Sequence, residues 1–298
     1  MLADQTTADL ASSPLETGRP EARSGFAARL FRSPGGIIGL AIIALLVILA
    51  VFADSLAPFS PTRMGAGRRL LEPSWRHLAG TDEFGRDMFS RIVHGARLTL
   101  KIGAIAVGIS LAAGLTIGLI AAYARGIVEA VLMRLSDVLF SFTETLIALA
   151  CVAVLGPSLE NAMVAVGLAG IPYYARTAYA SALVEVSKPY FEAAIAAGAG
   201  PVRLVLLHLL PNILPTMVVV ATLGLSSAIL AAAGLSFLGL GAQPPAPEWG
   251  AMLSAGRDFF NRAPWLMLYP GLSIALVVLA FNLLGDAMRE ALDPRGAD

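Results

Sequence analysis

Charge is scarce in this sequence. Of its 298 residues only 14% are Asp, Glu, Lys or Arg, and 57% are apolar. A soluble domain carries about 25% charged and about 45–50% apolar residues. With a mean hydropathy of +0.74, this balance excludes a water-soluble globule and a disordered chain. Cysteine is nearly missing: Cys151 stands alone, which excludes a disulfide scaffold. Lysine occurs only at Lys101 and Lys188, so arginine carries almost all the positive charge. The 21 basic residues are matched by 21 acidic ones, so there is no electrostatic footprint for nucleic acid. The three histidines, His77, His94 and His208, are far apart and form no metal-ligand cluster with one cysteine. No G-x-x-x-x-G-K-[ST] phosphate loop exists, so P-loop binding of ATP is excluded and no cofactor is expected. No G-x-S-x-G elbow is present either, and no catalytic residue is expected. Asp82, Glu83 and Asp87 could pass for a carboxylate site. They lie among Arg86 and Arg91, and paired charges in an external loop are the simpler reading.

What the sequence has is long apolar runs. Roughly 20 apolar residues cross a bilayer as a helix. Four stretches without charge meet that length: Pro34–Ala53, Ile102–Ala124, Ile213–Gly241 and Pro264–Gly285. The third exceeds one span and must include a loop or an interfacial piece. Two weaker stretches follow the same composition, about Val131 to Gly156 with Arg134, Asp137 and Glu144, and about Asn161 to Leu183 with Pro172 and Arg176. Their apolar residues occupy nearly every face, which does not suit a soluble surface helix. The fold class expected is an all-α integral membrane protein with six transmembrane helices. Trp249 and Trp265 are expected in the interfacial belt. Gly114 and Gly118 form a G-x-x-x-G pair that permits close helix packing, although glycine is also simply common in membrane helices.

The leading segment, Met1 to Ser33, is polar. Asp4, Asp9, Glu16 and Glu21 argue against a signal peptide, whose n-region is short and positive. Six spans put both termini on one side. The arginines divide almost evenly between the two sides, and the positive-inside rule rests on Arg19, Arg23, Arg29 and Arg32 before the first span.

The stretch Ser187 to Pro215 is the most informative. Ser187-Lys188-Pro189 reads as a helix start, since proline is tolerated in the first turn. Tyr190 to Ala197 contains strong helix formers, and Gly198 is a stop signal. Gly200-Pro201 opens a second short helix that Pro211 and Pro215 are expected to bend or end. Together these predict a helix–turn–helix outside the membrane. Glu192-Ala193-Ala194, then Gly198, then His208, then Pro211-Asn212 resembles the EAA loop of bacterial ABC-importer permeases.

Two flanking regions narrow the resemblance. Gly80-Thr81-Asp82-Glu83-Phe84-Gly85-Arg86-Asp87, with Ser90-Arg91 and Gly95-Ala96-Arg97, is similar to the N-terminal signature of the dipeptide/oligopeptide/nickel branch of those permeases. So are Pro244 to Gly250, Ala263-Pro264-Trp265, and Phe281 to Asp286 continuing to Leu292-Asp293-Pro294-Arg295. The likeness covers about Gly35 to Arg295. It departs at Ile195-Ala196-Ala197, where that branch usually has Arg-Ala-Leu, and at Thr143, where it usually has proline.

The resemblance implies a permease subunit of an ATP-driven importer in the bacterial inner membrane. The solute would be a di- or oligopeptide or a related small molecule. The implied partners are a second homologous permease, two cytoplasmic ATPase subunits, an extracytoplasmic substrate-binding protein and membrane lipid. The chain itself would not be an enzyme. Glu192, Ala193, Ala194, Gly198, His208, Pro211 and Asn212 would form the ATPase-coupling loop, which docks as a helix in a groove.

The expected organisation is a cytoplasmic tail over residues 1–33, a first span over 34–53, and an extracytoplasmic loop over 54–97. A five-helix core over 98–288 then carries the loop at about 187–212, and a cytoplasmic tail follows over 289–298. The alternative is an ion-coupled secondary transporter, which needs intramembrane ionisable groups and inverted repeats. Only Glu144 answers the first need, and no repeat is evident. On one continuous helix Asp137, Ser141, Glu144 and Ala148 would share a face. Such a polar stripe either lines a translocation path or, with Glu144 paired to Arg134, Arg176 or backbone, only fixes packing.

Overall fold

The computed structural model describes residues 29–292. The expectations for the leading tail and for Asp293, Pro294 and Arg295 fall outside those residues, apart from the tail's last few positions. Among the described residues the chain is helical, with one isolated bridge between Thr81 and Asp87.

The helices are α1 (Pro34–Val51), α2 (Ala53–Leu56), α3 (Met88–Ala124), α4 (Gly126–Phe140), α5 (Glu144–Leu155), α6 (Leu159–Val186), α7 (Pro189–Ala196), α8 (Pro201–Phe237), α9 (Trp249–Gly256) and α10 (Trp265–Leu292). Their starts follow from capping chemistry. Ser33 accepts from Gly36 N at 3.4 Å with Pro34 at the first position, Asp87 accepts from Ser90 N at 2.8 Å, and Ser158 accepts from Asn161 N at 3.1 Å.

Helices α1, α3, α8 and α10 are each long and apolar enough to cross a membrane. Helices α4 and α5 pass that test only together, with a 91° bend between them. Helix α6 has 28 residues, about 42 Å at 1.5 Å per residue, which is ample for a sixth span. It is less apolar than the others and by itself does not pass that test. Ala165, Ala175, Ala178 and Ala182 on it are completely enclosed.

Helices α3 and α6 form the centre of the bundle. A methyl group at Gly118 would stand 2.6 Å from Ala175 O, and one at Gly114 would stand 2.5 Å from Tyr174 Cβ. The G-x-x-x-G pair therefore is a close-packing device here, with the backbones too near for any side chain. A second core joins α1, α9 and α10 around Trp249 and Trp265.

The structure corrects three expectations. Residues 131–156 are not one helix: the chain turns at Ser141, Phe142 and Thr143, so Asp137 and Glu144 lie on different helices and share no face. The second helix after Gly198 does not end at Pro211 or Pro215, but runs unbroken to Phe237. A π turn over Leu204–Leu209 precedes Pro211. Its wider ring relieves the clash and the missing donor that proline brings to an ordinary helix. Finally, Trp249 and Trp265 are 1% and 8% exposed. Their indole N–H groups donate to Ile92 O (3.1 Å) and Thr81 O (3.3 Å) inside the protein, so they do not form a lipid-facing belt.

Candidate functional site: a helix–turn–helix loop and a bundle cavity

The loop between α6 and α8 is built from local chemistry. Lys188 precedes Pro189, which starts α7, and Phe191 anchors the helix with its ring 2% exposed. The helix stops at Gly198, whose φ of 81° lies in the left-handed region. Gly198 N donates to Ile195 O (2.9 Å) and Ala199 N to Ala194 O (3.1 Å). That pair of bonds is the Schellman arrangement. No atom lies within 4 Å of where a Cβ at Gly198 would sit, so glycine is required there by backbone conformation and not by space.

Glu192, Ala193 and Gly198 are exposed, and Ala194 is half-buried. Glu192 forms no ion pair among the described residues. Ile195 and Val202 also face outward, at 52% and 70% exposure. His208 and Asn212, at the start of α8, are brought back against α7. The His208 ring lies 6.5 Å from that of Tyr190, and Asn212 Nδ2 donates to His208 O (2.6 Å) and to Tyr190 OH (3.3 Å).

Sequence reasoning missed the residues that tie this loop together. Tyr190 OH donates to Glu185 Oε2 (2.8 Å), and Lys188 Nζ donates to Glu185 Oε1 (2.6 Å). Burial, and then the bond to Glu185, push the Tyr190 phenol up to about 12, so it remains a donor at neutral pH. The only signal in the sequence was the Glu185–Lys188 spacing, compatible with a helical pair.

A cavity of about 340 Å³ opens between α3, α5, α6, α8 and α10. Its polar lining comes from Ser110, Glu144, Tyr173, Tyr174, Ser227 and Asn282. Ser110 Oγ donates to Gly167 O (2.6 Å), and Ser226 Oγ donates to Asn282 Oδ1 (2.8 Å). The Tyr174 hydroxyl is buried without a hydrogen-bond partner. A side chain at Gly224 would collide with that hydroxyl, so a glycine makes the room for it. Of the three predicted path residues only Glu144 lines the cavity. Asp137 pairs with Arg176 (3.3 Å), both half exposed, and Ser141 donates to Val138 O (2.7 Å) within the bend. Ser110, Tyr173 and Tyr174 carried no motif, and Asn282 entered only as part of the Phe281–Asp286 stretch, because their meeting depends on three different helices.

The region from Phe59 to Arg97 is a buried polar knot. Arg86 Nε donates to Asp82 Oδ2 (2.5 Å), His77 Nδ1 meets Asp87 Oδ1 (2.8 Å), and Ser90 Oγ donates to Asp87 Oδ2 (2.7 Å). Arg91 donates to Pro61 O (2.9 Å) and Pro245 O (3.3 Å). Burial pushes the nearby Glu83 carboxyl above its usual range. These carboxylates are consumed internally, as structural ties. Among the described residues no group of His, Cys, Asp and Glu could hold a metal ion.

Residues 114–297 match the family described as the binding-protein-dependent transport system inner membrane component. Residues 24–73 match the N-terminal transmembrane domain of oligopeptide transport permease C. The chain is 45% identical to the di/tripeptide transport system permease protein DppC of Pseudomonas aeruginosa, covering 88% of each. It is 46% identical to the dipeptide transport system permease protein DppC of Alkalihalophilus pseudofirmus, covering 87% of this chain and 85% of that one. It is 42% identical to the glutathione transport system permease protein GsiD of Pectobacterium atrosepticum, covering 85% and 84%. Among solved structures, an inward-facing form of the MetNI methionine ABC transporter shares the fold. Its TM-score is 0.57 at 21% identity, over 69% of this chain and 98% of that one.

The chain therefore belongs to the binding-protein-dependent transport system inner membrane component family. It is an inner-membrane transport component and not an enzyme, and nothing supports the ion-coupled alternative.

Proposed function

We propose that this family member is one of two homologous permeases in an ATP-driven importer of di- or oligopeptides or a related small solute. Two cytoplasmic ATPase subunits bind it from inside, and a substrate-binding protein delivers solute from outside. The observation that carries this reading is the exposed α7–Gly198–α8 loop. Its glutamate has no ion-pair partner among the described residues, its turn is fixed by a single glycine, and its outward apolar residues suit helix-in-groove docking. The dipeptide permeases it resembles support a peptide as the solute.

In mechanism, ATP must bind one arrangement of the ATPases better than the other, or no equilibrium moves. The loop of Glu192, Ala193, Ala194, Gly198, His208, Pro211 and Asn212 passes that preference to α6 and α8, and through them to the cavity. The termini and the Gly198 loop lie in the cytoplasm. Residues 54–97 and 242–263 lie outside, with residues 98–288 holding the other five spans. Glu144 lines the path and favours a cationic group such as a peptide amino terminus.

Reconstitution tests the reading directly. Transport should require the ATPase subunits, the second permease and ATP, and transport by this chain with an ion gradient alone would overturn it. Single cysteines at Ala66 and Ala199 in a Cys151→Ala background should label from opposite sides, and labelling of both from outside would refute the orientation. Glu144→Gln should weaken import of cationic solutes selectively. Unaltered import of every solute would remove Glu144 from the path.

A further inference from the structure

The outward arginines are unusual for a membrane protein, whose positive residues favour the cytoplasmic side. The structure accounts for some of them. Arg86 and Arg91 are spent in the buried knot, and Arg97 pairs with Asp54 and with the carbonyl end of α1. Four others are not spent. Arg63, Arg68, Arg69 and Arg76 are exposed, and none forms an ion pair among the described residues. Glu72 is the only exposed acidic side chain between residues 57 and 87. Trp75, beside Arg76, is 98% exposed, and Leu78 is 54% exposed.

These side chains stand on a rigid base. Leu70 N donates to Asp82 O (3.0 Å), Gly67 N to Gly85 O (3.1 Å), and Thr81 Oγ1 to Arg68 O (2.5 Å). Ser74 and His77 exchange backbone bonds of 2.8 and 3.0 Å around Trp75, and the His77 ring is held by Asp87. Little backbone entropy remains to be lost when a partner binds, and the ordering cost falls on the arginine side chains.

The height of this base decides what can reach it. Arg97 Nε donates to Ala50 O (2.8 Å) near the C-terminal end of α1, which the proposed orientation puts at the outer edge of the first span. From Arg97 to Met88 the helix α3 climbs about 13 Å further. The headgroup layer beyond the hydrocarbon is only about 5–7 Å thick. With α3 along the bilayer normal, the proposed orientation puts the knot at Asp82–Asp87 above the headgroups, within reach of a soluble protein.

We propose that Arg63, Arg68, Arg69 and Arg76, grouped around Trp75 and Leu78, are the docking surface for an acidic face of the substrate-binding protein. The proposal rests on the importer reading and on the orientation given above. Arginine and tryptophan are the side chains most often found carrying interface energy. A field of one sign steers a diffusing partner of the opposite sign.

The test uses the complete complex in proteoliposomes, with ATP hydrolysis measured against concentration of dipeptide-loaded binding protein. Arg68→Glu with Arg69→Glu, and separately Trp75→Ala, should raise the half-saturating concentration about tenfold or more. Hydrolysis without binding protein should be unchanged. Added salt should weaken half-saturation of the wild type and alter the double variant far less. Equal half-saturation and equal salt dependence in variant and wild type would overturn the proposal. So would a difference that appears only in vesicles containing anionic lipid and vanishes in purely zwitterionic ones, since lipid would then be the occupant. A wild-type complex that no binding protein stimulates would overturn the importer reading and this surface with it.

Discussion

The two ends of the molecule, outer and inner in the orientation proposed above, are held by opposite means. At the outer end, Asp82, Asp87, Arg86, Arg91 and His77 are all at most 5% exposed and satisfy one another. At the inner end, the loop turns on one glycine, and Glu192 is exposed and forms no ion pair among the described residues. The outer end spends its buried charged side chains on rigidity and leaves Arg63, Arg68, Arg69 and Arg76 exposed. The inner end leaves Glu192, Ala193 and Gly198 exposed and anchors itself through Phe191 and the Glu185–Tyr190–Asn212 chain. A signature of charged residues can therefore be architecture, while a signature of alanines and a glycine can lie exposed on the surface.

Breaking the outer knot should have the largest effect on stability. Asp82→Ala leaves Arg86 and Arg91 buried without their carboxylate, and such losses cost about 3–5 kcal/mol. Thermal unfolding of the detergent-solubilised complex should shift strongly downward, and Asp82→Asn should shift it less. Between the ends, Gly118→Val forces a side chain against the α6 backbone at Ala175 and should cost about 1–3 kcal/mol. At the inner end, Tyr190→Phe removes the bridge between Glu185 and Asn212. A loss of about 1 kcal/mol is expected, readable as faster proteolysis of the loop with little change in global unfolding. Glu192→Ala should be smallest, within about 0.5 kcal/mol, because the side chain is exposed and unpaired. Its effect should appear only as lost coupling between ATP hydrolysis and transport. If Glu192→Ala destabilised the isolated chain as much as Asp82→Ala, the contrast between the two ends would collapse.

The parts of this architecture set by local chemistry were legible in the sequence. Pro189 before a run of helix formers, with Gly198 after it, specifies a short helix and a left-handed stop without help from distant residues. Helices α1 and α10 announce themselves by uncharged length. Where distant packing decides, the sequence misleads. No glycine or proline marks the bend at Ser141–Thr143, so an unbroken apolar pattern hid a 91° turn. Pro211 read as a terminator because a π turn that absorbs it has no sequence code. Trp249 read as a lipid anchor because nothing local reveals that Gly95 leaves its indole a place inside: a methyl at Gly95 would sit 2.3 Å from the indole nitrogen. The cavity around Glu144 was half legible. The acid itself stood out in an apolar run, but its companions Ser110, Tyr174 and Asn282 come from other helices.

The central claim is that the inner loop transmits and does not merely connect. Gly198→Val measures it most directly, since φ of 81° penalises a β-branched residue and no neighbour contacts the position. The reconstituted complex carrying Gly198→Val should insert and assemble normally. It should lose both import and the stimulation of ATP hydrolysis by loaded binding protein. Stimulated hydrolysis equal to wild type, in a complex that assembles normally, would contradict the account.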